Sequence, residues 1–275
     1  MPSVIQVLKI GGSLLTDKTR EQVFDGEQAR RLADEVAAYG RPLVLVHGTG
    51  SFGKPPARQF NYMDGFLPPE RAGVVSAVDA ILDELRNRVM QALRSAGVVS
   101  RALSPAALFR TRRGEVTWTE SEVVRMHLDR NISPVIAGGF VVDEEWGFAV
   151  LSSDQMAARL AVALGSCRLI IATDVPGVMD PDGGLTDPTS LFGDDRRLRE
   201  WVAPSVGDVS GGMRGKLDAG LVAVRAGSEV HLVDGRVPGR VHQALTCDDA
   251  PKTRLVASAF GPVTAVTEGR PLCAG

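Results

Sequence analysis

Residues 4–13 read Val-Ile-Gln-Val-Leu-Lys-Ile-Gly-Gly-Ser, an apolar run that stops at a lysine and two glycines. Val4–Ile10 has the length and branched content of a buried strand, and the glycine pair ends it in a turn. A lysine at such a tip sets a compact ammonium beside backbone amides, and Gly11 and Gly12 carry no side chain to hold an anion away from them. Lys9, Gly11, Gly12 and Ser13 are therefore candidates for contact with phosphate, with Lys9 aimed at a transferring group.

The same combination recurs along the chain. Lysine occurs only at positions 9, 18, 54, 216 and 252, and the other 26 basic residues are arginine. Lys18 follows the first glycine cluster closely. Lys54 follows Gly48-Thr49-Gly50-Ser51-Phe52-Gly53, and Lys216 follows Gly211-Gly212-Met213-Arg214-Gly215. A coding bias toward arginine explains the arginines but not where the lysines survive. A point charge beside bare amides is a standard phosphate holder.

Between these clusters the hydrophobic period alternates between strand and helix. Helices are predicted near Gln28–Ala38, ended by Gly40, over roughly Val74–Ser95, and from a Ser152 or Ser153 cap to Leu164, with another from about Met213. Strands are predicted at Leu43–Val46, Val98–Leu103, Pro134–Ala137, Arg168–Thr173, Glu229–Val233, Arg254–Ser258 and Val263–Thr267, with a hairpin at Gly114. Residues 54–72 read as an ordered loop. Such alternation implies an α/β fold whose mostly parallel sheet is covered on both faces, and ligands of such sheets bind beyond the carboxyl ends of the strands. One domain over 1–275 is expected, its lobes 1–165 and 166–275 meeting near residue 165.

With 44% hydrophobic and 23% charged residues in 275, the chain has the composition of a soluble globular protein. A net charge of −2 lacks the basic excess of a nucleic-acid-binding domain. No apolar stretch approaches the roughly 20 residues that span a bilayer, and the start shows no secretory pattern. Cys167, Cys247 and Cys273 are odd in number and widely spaced, which favours neither a disulfide framework nor zinc and suits a reduced cytoplasm. The four histidines have no metal spacing, so no metal ligand is assigned. Glu115, Asp143, Glu144 and Glu145 are expected to be solvated.

The Gly48–Gly53 segment also fits the dinucleotide pattern G-x-G-x-x-G. Two features oppose that: Pro55-Pro56 should stop the helix the third glycine must open, and the acid some 20 positions on should end a second strand, whereas Asp64 and Glu70 read as loop. An anion cradle for a substrate phosphate is the better account, built from Gly48, Thr49, Gly50, Ser51 and Gly53 with Gly138 and Gly139. Asp154 falls in the first turn of a helix, where an acid complements the dipole; lying between lysine-bearing loops, it is also placed to orient Lys9 and Lys216. Thr173, Asp174 and Gly177 form a nucleotide-side loop, and Gly211, Gly212, Met213 and Lys216 suit the β- and γ-phosphates.

In order, Lys9-x-Gly-Gly-Ser, Thr-Asp-Lys18, His-Gly-x-Gly-Ser-Phe-Gly53, Gly-Phe-x-x-Leu-Ser-x-Asp154, Thr-Asp-Val-x-Gly-Val178 and Asp-Val-x-Gly-Gly-Met-x-x-Lys216 resemble the amino-acid kinase superfamily. Within it the resemblance is to the isopentenyl phosphate kinases. It implies a three-layer α/β/α sandwich, a homodimer, and transfer of the γ-phosphoryl group of Mg²⁺-bound ATP to a small phosphorylated acceptor. Lys9, Lys18 and Lys216 would contact ATP, Asp154 would organise the lysines, the Gly48–Gly53 loop would hold the acceptor phosphate, and Val75, Val78 and Leu82 would wall an apolar tail. Two positions depart from the family: Lys54 replaces a histidine after the GSFG loop, and Gly138-Gly139 replaces Gly-Asp. Both lie on the acceptor side, which leaves kinases of small phosphonates, of the fosfomycin type, and non-catalytic nucleotide binders as alternatives.

Overall fold

The opening apolar run becomes an interior strand. In the computed structural model, which describes residues 4–60, 72–165, 167–178, 212–246 and 253–255, the elements in chain order are β1 (Ile5–Ile10), α1 (Gly12–Leu15), α2 (Gly26–Tyr39), β2 (Val44–His47), α3 (Gly50–Phe60), α4 (Ala72–Ser95), β3 (Ser100–Leu103), α5 (Pro105–Leu108), β4 (Phe109–Arg112), β5 (Glu115–Thr119), α6 (Glu122–Leu128), β6 (Ser133–Ala137), β7 (Gly139–Asp143), β8 (Gly147–Leu151), α7 (Ser153–Leu164), β9 (Cys167–Thr173), α8 (Gly212–Arg225), β10 (Glu229–Asp234), α9 (Arg240–Thr246) and β11 (Thr253–Leu255). The main sheet runs β11-β10-β9-β1-β2-β6-β3. All its pairings are parallel except the one to β11.

Period-two alternation in β1 decides where the chemistry goes. Leu8 and Ile10 face one layer, with Leu14, Leu32, Leu85 and Val241. Val7 faces the other, with Met156 and Leu160 of α7 and Leu217 and Val224 of α8. Lys9 shares the parity of Val7, so its side chain projects toward the α7–α8 layer from the strand's carboxyl end. The result is the three-layer sandwich that the alternation predicts.

Local signals set most boundaries. Asp25 caps α2 by accepting from the Gln28 amide at 2.9 Å, and Gly40 closes that helix at φ 70°. Ser152 and Gln155 form a reciprocal capping box at the start of α7. Arg113 and Gly114 both take positive φ, 51° and 78°, in the predicted hairpin, which joins β4 to β5. That hairpin belongs to a second, four-stranded sheet, β5-β4-β7-β8, which the sequence pattern did not reveal.

One expectation fails. Helix α3 begins at Gly50 and runs through Pro55 and Pro56 to Phe60. Pro55 has no N–H for the Ser51 carbonyl, but that carbonyl accepts from the Gln22 amide at 3.2 Å instead. The bond the proline removes is thus replaced from 29 residues upstream. Residues 54–60 are accordingly helix rather than loop. Arg254 and Leu255 fall in β11 as expected, whereas Val263–Thr267, Gly211, Lys252, Cys247 and Cys273 lie outside the described residues. Cys167 is a buried free thiol whose pKa burial pushes up to about 11. No helix among the described residues is long and apolar enough to cross a membrane.

Candidate functional site

A cavity of about 810 Å³ opens at the carboxyl ends of β1, β2 and β9 and beneath the first turns of α7 and α8. Every candidate residue named from the sequence lines it except Gly177 and Val75, which do not, and Gly211, which lies outside the described residues. Four of the five lysines, 9, 18, 54 and 216, meet in this one space.

At its centre is one carboxylate between two ammonium groups. Lys9 Nζ lies 2.8 Å from Asp154 Oδ1, and Lys216 Nζ lies 3.5 Å from Oδ2. Lys9 and Asp154 are each 2% exposed. Burial alone would raise the Asp154 carboxyl, but Lys9 and Lys216 outweigh it and hold the group below its ordinary range, hence ionised. Burial lowers Lys9, and Lys216 adds to that, while Asp154 opposes both. Three elements converge here because α7 and α8 pack side by side over the end of β1.

Farther out, Lys18 pairs with Asp174. Burial would raise Asp174, and hydrogen bonds from Lys18 and Ser13 draw it down. The Lys18 side chain is 58% exposed, so this pair lies where the cavity meets solvent.

The glycines do something other than the sequence suggests. A Cβ on Gly12 would fall 2.2 Å from the Gly50 nitrogen, one on Gly48 2.5 Å from the Gly12 nitrogen, and one on Gly50 2.0 Å from Thr16 Oγ1. The two loops lie backbone against backbone, and glycine is what permits it. Gly11 donates its amide to the Ala172 carbonyl, Gly48 to Ile10 and Gly138 to His47, each at 2.9 Å. These three amides extend the strand ladders into the loops instead of pointing at an anion. Thr16, quoted in the sequence only as the start of Thr-Asp-Lys, ties the two loops together: its hydroxyl donates to the Gly12 carbonyl at 2.8 Å and accepts from the Ser51 amide at 2.9 Å. Nothing in its sequence surroundings marks that role.

Two other polar groups are buried nearby. Ser51 Oγ at the cavity wall has no hydrogen-bond partner among the described residues. His47 is fully buried, its Nδ1 lies 3.1 Å from the Gly48 carbonyl, and burial pushes its pKa down to about 4. No group of three or more His, Cys, Asp or Glu among the described residues is arranged to hold a metal ion.

The cavity also has an apolar end, where Ala57, Val78, Leu82, Phe140 and Val150 line it. Val78 and Leu82 stand where expected; Val75 packs against the α2–α4 core instead of the cavity. Glu115 is exposed, as expected, and also lines the cavity. One acidic residue corrects the sequence picture. Asp143, expected in solvent, is 2% exposed and accepts five hydrogen bonds.

The profile of the amino acid kinase family matches residues 4–234. The isopentenyl phosphate kinase of Methanothermobacter thermautotrophicus is 30% identical over 264 residues, covering 90% of this chain and 98% of the relative. That of Haloferax volcanii is 32% identical over 250 residues, covering 86% and 97%. Among solved structures, one of an isopentenyl phosphate kinase superposes with a TM-score of 0.77 at 28% identity, over 91% of this chain and 99% of the other.

Proposed function

This chain belongs to the amino acid kinase family, and from that premise we propose that it transfers the γ-phosphoryl group of ATP to isopentenyl phosphate, giving isopentenyl diphosphate and ADP. The observation that carries this is the convergence of Lys9 and Lys216 on the buried Asp154 carboxylate, in a chain that shares 30% identity with an isopentenyl phosphate kinase over nearly its full length.

The side-chain chemistry fits a polyphosphate. Four ammonium groups face one cavity, and the Ser51 hydroxyl, without a hydrogen-bond partner among the described residues, supplies a further donor at its wall. Lys9, Lys18 and Lys216 hold the ATP phosphates, with Gly12, Ser13, Thr173, Asp174, Gly212 and Met213 around them. Mg²⁺, carried on the nucleotide phosphates, supplies additional neutralisation of charge. Lys54, Gly50 and Ser51 hold the acceptor phosphate, and Val78, Leu82 and Phe140 enclose its short apolar tail.

The reaction makes modest demands on the protein. A phosphate monoester has its second pKa near 6, so the acceptor oxygen is ionised at neutral pH and no general base is required. That oxygen attacks the γ-phosphorus in line, its bond forms as the bond to the β-phosphate oxygen breaks, and ADP leaves with the electron pair. The chief obstacle is bringing two polyanions together. Lys54 offsets the charge of the acceptor, while Lys9 and Lys216 stabilise charge on the group in transit. Asp154 keeps both lysines fixed, so little reorganisation remains at the moment of transfer.

The family likeness extends the proposal to a cytoplasmic homodimer, with residues 1–165 on the acceptor side and 166–275 on the nucleotide side of one domain. Lys54 in place of the family's histidine favours one second reading, a small phosphonate as acceptor. Comparing kcat/KM for isopentenyl phosphate, dimethylallyl phosphate and small phosphonates decides between them. The proposal expects the first to lead, and a phosphonate leading by tenfold or more would replace it.

A further inference from the structure

Asp143 ends β7, away from the lysines, and its carboxylate joins two turns. Oδ1 accepts from the backbone amides of Arg113 at 3.2 Å, Glu145 at 3.0 Å and Trp146 at 2.8 Å. Oδ2 accepts from the Gly114 amide at 2.9 Å and the Thr111 hydroxyl at 2.8 Å. Arg113 and Gly114 form the turn of the β4–β5 hairpin, whereas Glu145 and Trp146 form that of the β7–β8 hairpin. The Trp146 ring closes over Gly114, so near that a Cβ there would meet it at 3.2 Å. Outside, Arg112 pairs with Glu144 and Arg113 with Glu145.

Each joined hairpin also reaches the cavity. The base of the β7–β8 hairpin contributes Phe140 and Val150 to the apolar end, and β5, directly after the Gly114 turn, contributes Glu115 and Val116. Val116 packs against the core cluster that includes α7 as well. A single buried carboxylate thus links two hairpins that both line the cavity.

We propose that Asp143 is a positioning residue for the acceptor: it locks the β4–β5 hairpin to the β7–β8 hairpin so that Val116 and Glu115 complete the wall around the acceptor's tail. The proposal rests on the acceptor occupying the apolar end of the cavity. Asp143 itself touches no substrate and acts through β5. Four of its five hydrogen bonds are accepted from backbone amides, so asparagine, which turns an amide toward donors, breaks the lock while conserving shape.

The test compares Asp143→Asn, Thr111→Val and Val116→Ala in the full-length protein. Hydrogen exchange is read without substrate, and kinetics are read with ATP and isopentenyl phosphate. Losing hydrogen bonds to a charged group predicts that Asp143→Asn raises the acceptor KM about tenfold or more, leaving the ATP KM and kcat within about threefold. Amides of residues 109–119 exchange faster, whereas those of β1 and α7 do not. Thr111→Val shifts both readouts in the same direction by less, and Val116→Ala raises the acceptor KM with exchange unchanged.

Unchanged exchange in the hairpin overturns the lock. Faster exchange with an unchanged acceptor KM, or with the ATP KM rising instead, overturns the positioning role. Should Asp143→Asn not fold, Thr111→Val and Val116→Ala decide by the same criteria. If the wild-type protein does not phosphorylate isopentenyl phosphate, the assigned acceptor is wrong; the exchange data then still decide whether Asp143 joins the hairpins.

Discussion

The Lys9 ammonium sits 2.8 Å from the Asp154 carboxylate, and both side chains are closed to solvent. Breaking a buried pair by deleting one partner typically costs about 3–5 kcal/mol, because the survivor is left charged in a poor dielectric. Lys216, 3.5 Å from the other oxygen, softens the loss of Lys9 but not the loss of Asp154. Lys9→Met is therefore expected near the lower end of that range and Asp154→Leu, which strands two ammonium groups, near the upper end. Thermal and denaturant unfolding measure both, and a loss under about 1 kcal/mol in either contradicts the pairing.

Catalysis should suffer independently of stability. Removing one charge-assisted donor from a transition state costs about 10²–10³ in turnover, judging from oxyanion-hole deletions. Lys9→Met and Lys216→Met are each expected to lose that much kcat at a temperature where both remain folded. A variant that keeps more than a tenth of the wild-type kcat removes its lysine from the transferring group.

The glycine contacts give a structural prediction with an internal control. Gly12→Ala drives a methyl to 2.2 Å from the Gly50 nitrogen, and the obstacle is backbone, which cannot turn aside. Separating the two loops should cost about 2 kcal/mol or more and slow phosphoryl transfer. Gly73→Ala in α4 meets nothing within 4 Å and should be neutral or stabilising by up to about 1 kcal/mol. Equal melting temperatures for the two variants would falsify the close approach of the loops.

His47 predicts how stability depends on pH. Burial, with a smaller contribution from Arg86, holds its folded pKa at about 4, against an ordinary 6.5. The unfolded chain therefore takes up a proton between pH 6.5 and 4 that the folded chain refuses, and stability falls as pH falls through that window. At about 1.4 kcal/mol per pH unit the loss is about 3 kcal/mol. Asp143 acts lower: its folded pKa is about 2, so its contribution persists above the ordinary 3.8 and disappears as pH drops toward 2. Denaturant unfolding from pH 7 to 2 checks both. His47→Asn, if it folds, should flatten the curve between 6.5 and 4.

Much of this was legible locally. Strand β1, the helices α2 and α7 and the closeness of Lys9, Lys54 and Lys216 each to its own glycine cluster all follow from patterns spanning fewer than thirty residues. What escaped depended on partners distant in sequence. Pro55 sits inside a helix because the Ser51 carbonyl is satisfied by Gln22, a bond no local rule anticipates. Asp143 reads as one of three consecutive acids, and only the fold brings the amides of Arg113 and Gly114 to it. The glycines were correctly marked as essential, but Gly12, Gly48 and Gly50 serve contact between two loops whose meeting is a tertiary fact.

Lys54 carries the acceptor assignment. Lys54→Ala should raise the KM for isopentenyl phosphate by tenfold or more with little change in the ATP KM, since a charge-assisted hydrogen bond contributes about 1.5–3 kcal/mol. Lys54→His restores a donor at this position and should recover a substantial part of the loss. Kinetics of the alanine variant indistinguishable from wild type would remove Lys54 from the acceptor site.

The most direct measurement is phosphorus NMR of wild-type protein with ATP, Mg²⁺ and isopentenyl phosphate, run beside Lys9→Met. Transfer by the Lys9–Asp154–Lys216 centre predicts ADP and isopentenyl diphosphate appearing in equal amounts with the wild type, and at least a hundredfold more slowly with Lys9→Met. ATP that binds but yields no diphosphate, or equal rates from the two proteins, would contradict it.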